Sequence, residues 1–362
     1  MKYIDEYRDS NLVKPLVEEL KKTLTRPVRL MEVCGTHTMA IFRNGIRSIL
    51  PDGMEIVSGP GCPVCVTSAS HVDAFIAMAE IPSVRVAIFG DLFRVPGSNG
   101  SLANAAARGA YIDVVYSPMD ALELARNNPD DTLVFLGVGF ETTTPGIAAT
   151  ILAAHHEKID NFCVFSTQKV IPGPLETLMQ DPELNINALL CPGHVSAIIG
   201  AGAYQPFVEQ GLACVVAGFE PADLVNGLIL LAKQVGSATP KVENLYPRVV
   251  SWEGNKRALA MVEEIFEPTD MEWRGLGVIE QSGLAIREKF QKFDAEKRFD
   301  IKLVPTEEPK GCLCGAILKG QTVPPHCPLF GTRCNPSTPV GPCMVSSEGT
   351  CAAYYKYGRD DS

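Results

Sequence analysis

No run of apolar residues in this sequence is long enough to cross a bilayer; the longest, around residues 227–232, reads as a short helical core segment. The first 19 residues are charged and lack the apolar centre of a secretory signal. Basic clusters are scarce, and Lys21-Lys22 reads as a solvated helix face. With a net charge of −10, nucleic acid is not expected as a main partner, because phosphate binding needs clustered Lys and Arg. A G-x-x-x-x-G-K-[ST] loop is missing, and Gly137-Val138-Gly139 lacks the third glycine of a dinucleotide fingerprint. These absences point to a soluble, cytoplasmic protein without a membrane or nucleic-acid partner.

What is present is material for two or three domains: 362 residues, 46% hydrophobic and 20% charged. An amphipathic helical stretch over residues 3–24 ends before Pro27. One pattern then recurs: a short apolar strand, a Gly/Pro-rich turn, a helix. It starts at residues 28, 55, 84, 132, 161, 188 and 213. Continuous apolar strands alternating with helices predict parallel sheets covered on both faces. The expected fold is therefore α/β, with two parallel-sheet lobes and a C-terminal Cys-rich domain. A polar break at residues 127–131 predicts a division into residues 1–128, 129–240 and a helical, Cys-rich 241–362. Ligands in such sheets sit beyond the carboxyl ends of the strands, where every polar turn of this pattern falls.

Twelve cysteines in a cytosolic chain argue for metal binding or redox work rather than structural disulfides. Six fall in the aperiodic tail: Cys312, Cys314, Cys327, Cys334, Cys343 and Cys351. That stretch has too little periodicity for an ordinary core and is expected to fold around a metal cofactor. A cubane iron–sulfur cluster takes four thiolates; zinc also accepts four, but paired C-x-x-C knuckles are missing. Two cysteines remain over, and the Cys312-x-Cys314 spacing can send one sulfur to a cluster and the next to a disulfide.

Near the N-terminus, Cys34 ends an apolar strand and opens a helix, a setting that stabilises a thiolate. His37 lies one turn on, so thiolate and imidazole could share an ion such as Fe(II). Cys62-Pro63-Val64-Cys65 at a strand-to-helix junction reads as a redox dithiol. Cys163 and Cys214 read as core residues, with Cys191 less certain. His194 could face the cleft or serve a structural hydrogen bond, whereas His71, His155 and His156 are expected to face solvent or act locally. Asp91 and Arg94 could orient a ligand or pair with each other. Glu141 and the threonines after it could bind an anion at a helix N-terminus.

Cys34-Gly35-Thr36-His37-Thr38, Gly59-Pro60-Gly61-Cys62-Pro63-Val64-Cys65, Gly139-Phe140-Glu141-Thr142-Thr143-Thr144-Pro145, Cys191-Pro192-Gly193-His194 and the six-cysteine tail, in this order, resemble the HypD family of hydrogenase maturation factors from about residue 5 to 355. The resemblance implies a scaffold for the Fe(CN)2CO unit of [NiFe]-hydrogenases, built with a small HypC-type chaperone and a HypE-type cyanide donor. It also implies two α/β domains and a third carrying a [4Fe-4S] cluster in surroundings similar to ferredoxin:thioredoxin reductase, in a chain expected to be monomeric alone. By position, Cys34 with His37 beside it would hold Fe(II) carrying cyanide and carbon monoxide, and Cys62 and Cys65 would form a redox dithiol. Cys312, Cys327, Cys334 and Cys351 would hold the cluster, with Cys314 and Cys343 a nearby disulfide pair. The interval from Cys343 to Cys351 is slightly longer than the family pattern, which leaves those two open as the fourth ligand. The competing function is a general iron–sulfur thiol–disulfide oxidoreductase, which gives Cys34 and His37 no task.

Overall fold

The computed structural model describes residues 5–8, 10–181 and 183–358; Tyr3 and Ile4, the start of the expected first helical stretch, lie outside them. Nine strands form two parallel sheets among the described residues: β1 (Val28–Glu32), β2 (Met54–Ser58), β3 (Val84–Ile88), β4 (Tyr111–Val114), β5 (Thr132–Gly139), β6 (Phe162–Gln168), β7 (Ala188–Pro192), β8 (Ala213–Ala217) and β9 (Val242–Asn244). One sheet has the order β2-β1-β7-β8-β9 and the other β4-β3-β5-β6. The α/β class and the Cys-rich tail are as expected.

The arrangement of the lobes is not. Strands on both sides of residue 128 share the second sheet, where Val86 of β3 lies level with Val134 of β5. Strand β1 joins β7, with Met31 level with Leu189. The second lobe is thus inserted between β2 and β7 of the first, which corrects the linear division at residue 128. The polar break at residues 127–131 is only the end of the helix Pro118–Asn127 and the turn into β5.

A second correction concerns residues 266–286, expected to be helical. They form an antiparallel hairpin of β10 (Phe266–Trp273) and β11 (Gly277–Ile286). Ser166 of β6 donates to the Leu284 carbonyl, which fastens the hairpin to the second sheet (2.7 Å). Its burial pattern is broken on β10, where Glu267, Pro268 and Asp270 are exposed, so the period-two signal is weak.

Alternate residues of the parallel strands enter different cores. Leu30, Leu190 and Val215 face one side of the first sheet, with Leu228 from the helix Pro221–Ser237. Met31, Leu189 and Val216 face the other side, where they share a core with Val134, Leu136 and Val138 of the second sheet. That shared core joins the lobes. Burial on both faces explains why the strands read as unbroken apolar runs.

The strand orders set two topological switch points, where neighbouring strands send their connections in opposite directions. One lies between β1 and β7, the other between β3 and β5. The turns there carry Cys34, His194, Asp91 and Glu141. The tail closes across them: its helix Thr350–Tyr357 packs on the helix Gly35–Arg43, with the rings of Phe42 and Tyr354 4.4 Å apart.

Candidate redox and metal centre

Cys34 occupies the N-cap position of the helix Gly35–Arg43 in an extended conformation and is buried. Beneath it lies Glu32, whose carboxylate accepts from the Cys34 amide (3.1 Å) and from the Thr38 hydroxyl (2.5 Å). Burial pushes Glu32 up to about 7. Burial, with the nearby Glu348 charge, pushes the Cys34 thiol up to about 12. The backbone amides of His37 and Thr36 act in the opposite direction and are outweighed. The thiolate setting expected from a helix N-terminus is therefore overridden by desolvation in the free chain.

His37 is fully buried, and its Nε2 donates to the Gly218 carbonyl (3.0 Å). Burial lowers its pKa to about 4, so the ring is neutral near pH 7. Its Nδ1 has no hydrogen-bond partner. A neutral imidazole anchored through one N–H, with the other lone pair unclaimed, is the form that ligates metals. His194 is exposed and lies with its ring 4.1 Å from Phe219, which also packs 4.7 Å from His37.

The dithiol loop lies directly against Cys34. The Gly35 amide donates to the Gly61 carbonyl (2.9 Å), and a Cβ on Gly61 would sit 2.2 Å from the Cys34 nitrogen. Only glycine permits that approach. The sulfurs of Cys62 and Cys65 are 2.6 Å apart, both buried. The Cys65 amide donates to the Cys62 sulfur (3.2 Å).

From Cys65 the sulfur contacts continue into the tail. Cys65 lies beside Cys343, Cys343 lies 3.0 Å from Cys314, and Cys314 lies beside Cys312, all as free thiols. Cys343 also reaches Cys351. All six tail cysteines line one small cavity walled by Ile317, Leu329, Phe330 and Met344. The Val340 amide donates to the Cys334 sulfur (3.4 Å). Among the described residues, no three His, Cys, Asp or Glu side chains are gathered closely enough to hold a single metal ion. A cavity lined by six thiols, with apolar walls and an amide donor on sulfur, suits the donor chemistry of a cubane cluster.

Asp91 and Arg94 do not pair with each other. Asp91 accepts from the hydroxyls of Ser346 (3.1 Å) and Ser347 (2.9 Å) and from the Ser347 amide (3.0 Å), while Arg94 donates to the Pro336 carbonyl. Both therefore hold the tail. Glu141 is buried, accepts from the Ile171 amide (2.8 Å), and is pushed up to about 7 by burial. That amide engages one carboxylate oxygen (Oε1), and the other, Oε2, is buried without a hydrogen-bond partner. Of the two alternatives for His71 the structure shows the local one: it is buried, with Nδ1 2.6 Å from the Ser68 hydroxyl that caps its helix. His155 and His156 are exposed, and Cys163 and Cys214 lie in the core, as expected. Cys191 is fully buried beside Cys214.

Glu32, Ser346 and Glu348 are site residues that sequence reasoning missed. Glu348 accepts from the Thr36 hydroxyl, and its Cβ would lie 2.5 Å from a Cβ on Gly35. A glutamate ending a strand and a Ser-Ser-Glu in an aperiodic tail carry no local signal; only the folded contact identifies them.

Residues 11–358 match the family model HypD, described as the hydrogenase formation hypA family. The chain is 45% identical over 372 residues to hydrogenase maturation factor HypD of Escherichia coli (strain K12), covering all of both chains. It is 44% identical over 370 residues to hydrogenase maturation factor HypD2 of Bradyrhizobium diazoefficiens, covering 99% of this chain and 97% of the relative. It is also 44% identical over 371 residues to HypD of Rhodobacter capsulatus, covering 99% and 98%. With its motifs gathered at the strand ends and this match along nearly its whole length, the chain belongs to the HypD family of hydrogenase maturation factors.

Proposed function

We propose that this chain is the scaffold on which the Fe(CN)2CO unit of a [NiFe]-hydrogenase is assembled, with a HypC-type chaperone sharing the iron and a HypE-type partner delivering cyanide. The observation that carries this reading is the unbroken run of sulfur contacts from the tail cavity through Cys314, Cys343 and Cys65 to Cys62, whose loop abuts Cys34. A [4Fe-4S] cluster on Cys312, Cys327, Cys334 and Cys351 would supply single electrons. Cys314 and Cys343 store them as a dithiol, and Cys62 and Cys65 carry them toward Cys34. Cys34, with the free Nδ1 of His37, holds the iron that is the cargo. The engagement of Cys343 with both Cys314 and Cys65 favours Cys351 as the fourth cluster ligand.

A general oxidoreductase acting on protein disulfides is the weaker reading, because Cys62 and Cys65 are only 4% and 0% exposed. A macromolecular disulfide has no access to them. The decisive experiment is anaerobic purification with iron and sulfide analysis, then infrared spectroscopy in the cyanide and carbonyl stretch region with and without the chaperone. The expected result is a brown, iron-containing protein that shows both kinds of band in the complex. Colourless, iron-free preparations that resist reconstitution would overturn the proposal.

A further inference from the structure

The buried dithiol must exchange protons as well as electrons, and its sulfurs have different neighbours. Cys65 is fully buried and touches Cys343. Cys62 instead lies 3.3 Å from the Ser346 hydroxyl, which is itself 1% exposed. That hydroxyl accepts from the Cys62 thiol and from the Glu348 amide (3.2 Å), which fills both lone pairs. Its single proton is thereby committed to Asp91, 3.1 Å away. Asp91 lines an open cleft of about 450 Å3 together with Ser346 and Glu348.

We propose that Asp91, acting through the Ser346 hydroxyl, moves the proton on and off Cys62, and that Cys65 is the sulfur attacked from the tail. This rests on the redox role proposed above. When the Cys62–Cys65 pair is a disulfide, the Cys343 thiolate attacks the Cys65 sulfur. The Cys343–Cys65 bond forms and the Cys65–Cys62 bond breaks. Cys62 leaves as a thiolate and takes a proton from Ser346, which draws one from Asp91 and the cleft. Cys314 gives up its proton and attacks Cys343, and Cys65 leaves with that proton. The proton given up by Cys343 balances the one gained by Cys62. Two electrons and two protons have then passed from the Cys314/Cys343 dithiol to the Cys62/Cys65 disulfide. In the reverse sense the relay draws the proton from Cys62 and leaves it a nucleophile, because thiolate and not thiol reacts. Glu348 is the other acid facing this path; its side chain is held by Thr36, while its amide fixes the Ser346 hydroxyl.

The test is the rate at which methyl methanethiosulfonate, a small uncharged thiol reagent, modifies Cys62 in the reduced full-length chain, read by mass spectrometry of the Cys62 peptide across pH. At neutral pH, Ser346→Ala and Asp91→Asn should slow the reaction by at least about tenfold, with the difference closing in alkali, where no base is needed. Ser346→Thr keeps the hydroxyl and should stay near the parent rate. Ser347→Ala removes a neighbouring bond to the same carboxylate and should leave the rate unchanged. Cys163, buried in β6, reports whether a variant has opened; if Asp91→Asn does so, the two Ser346 variants decide. Parent-like rates in Ser346→Ala, or equal slowing in Ser347→Ala, would overturn the relay and leave Asp91 a docking residue. These rates need no bound iron, so they separate failure of the relay from failure of the scaffold reading.

Discussion

Gly61 and Cys34 are in backbone contact: a side chain on Gly61 would fall 2.3 Å from the Val33 carbonyl carbon and 2.2 Å from the Cys34 nitrogen. Because the obstacles are main-chain atoms, no rotamer change relieves them. Gly61→Ala should therefore cost about 1–3 kcal/mol by overpacking, read as a lower urea midpoint. The same change should separate Cys62 from Cys34 and lower iron retention in the chaperone complex more than it lowers stability alone would explain. A variant with parent stability would show that the two loops are not held in this contact.

Cys34→Ala should leave the fold and the tail cluster intact, because Cys34 does not line the tail cavity. Iron retained in the chaperone complex, beyond that of the cluster, should fall to background by elemental analysis. His37→Ala should weaken retention less completely, since it removes the imidazole but leaves the thiolate. Equal iron in parent and Cys34→Ala complexes would remove Cys34 as the ligand.

The two tail cysteines nearest the dithiol should separate cleanly. Cys351→Ser should lose visible absorption and iron, because a cluster ligand is gone. Cys343→Ser should keep both and yet leave the Cys62–Cys65 disulfide unreduced when dithionite reduces the cluster, since the 3.0 Å link to Cys314 is cut. The reverse pattern of colour loss would make Cys343 the fourth ligand.

Glu141 gives a pH-dependent signature. Its folded pKa is raised to about 7 from 4.5, so the native state binds the extra proton between those values. Stability falls as pH rises through that window, by up to about 3 kcal/mol. Glu141→Gln lacks that loss. Its unfolding midpoint should exceed the parent's at pH 8 and match it near pH 4.5, checked by urea titration at both. A gap independent of pH would show that Glu141 is ionised in the folded chain.

Most of the strands were legible because burial on both faces leaves unbroken apolar runs such as Ala188–Pro192 and Ala213–Ala217. Nearly all the thiols of the centre were legible too, because sulfur density in the tail has few uses other than metal binding. Sheet membership was not: nothing local in Val28–Glu32 says that it pairs on one side with the next repeat and on the other with a strand about 160 residues later. The burial of His71 was hidden for a similar reason, since its helix is covered on more than one side by the hairpin and the second sheet. Asp91 and Arg94 looked like a cleft pair because the tail that claims them is more than 240 residues away in sequence. The elevated Cys34 thiol reflects a contest of magnitudes, desolvation against helix-end amides, that spacing alone does not decide.

The insertion of one lobe within the other sets an order of assembly during synthesis. Strands β3 to β6 can pair as soon as residue 168 has emerged, whereas β1 must wait for β7, and the Cys65–Cys343 junction waits for nearly the whole chain. Since domains fold as units while translation proceeds, the thiols from the two ends of the chain are brought into register only at the end.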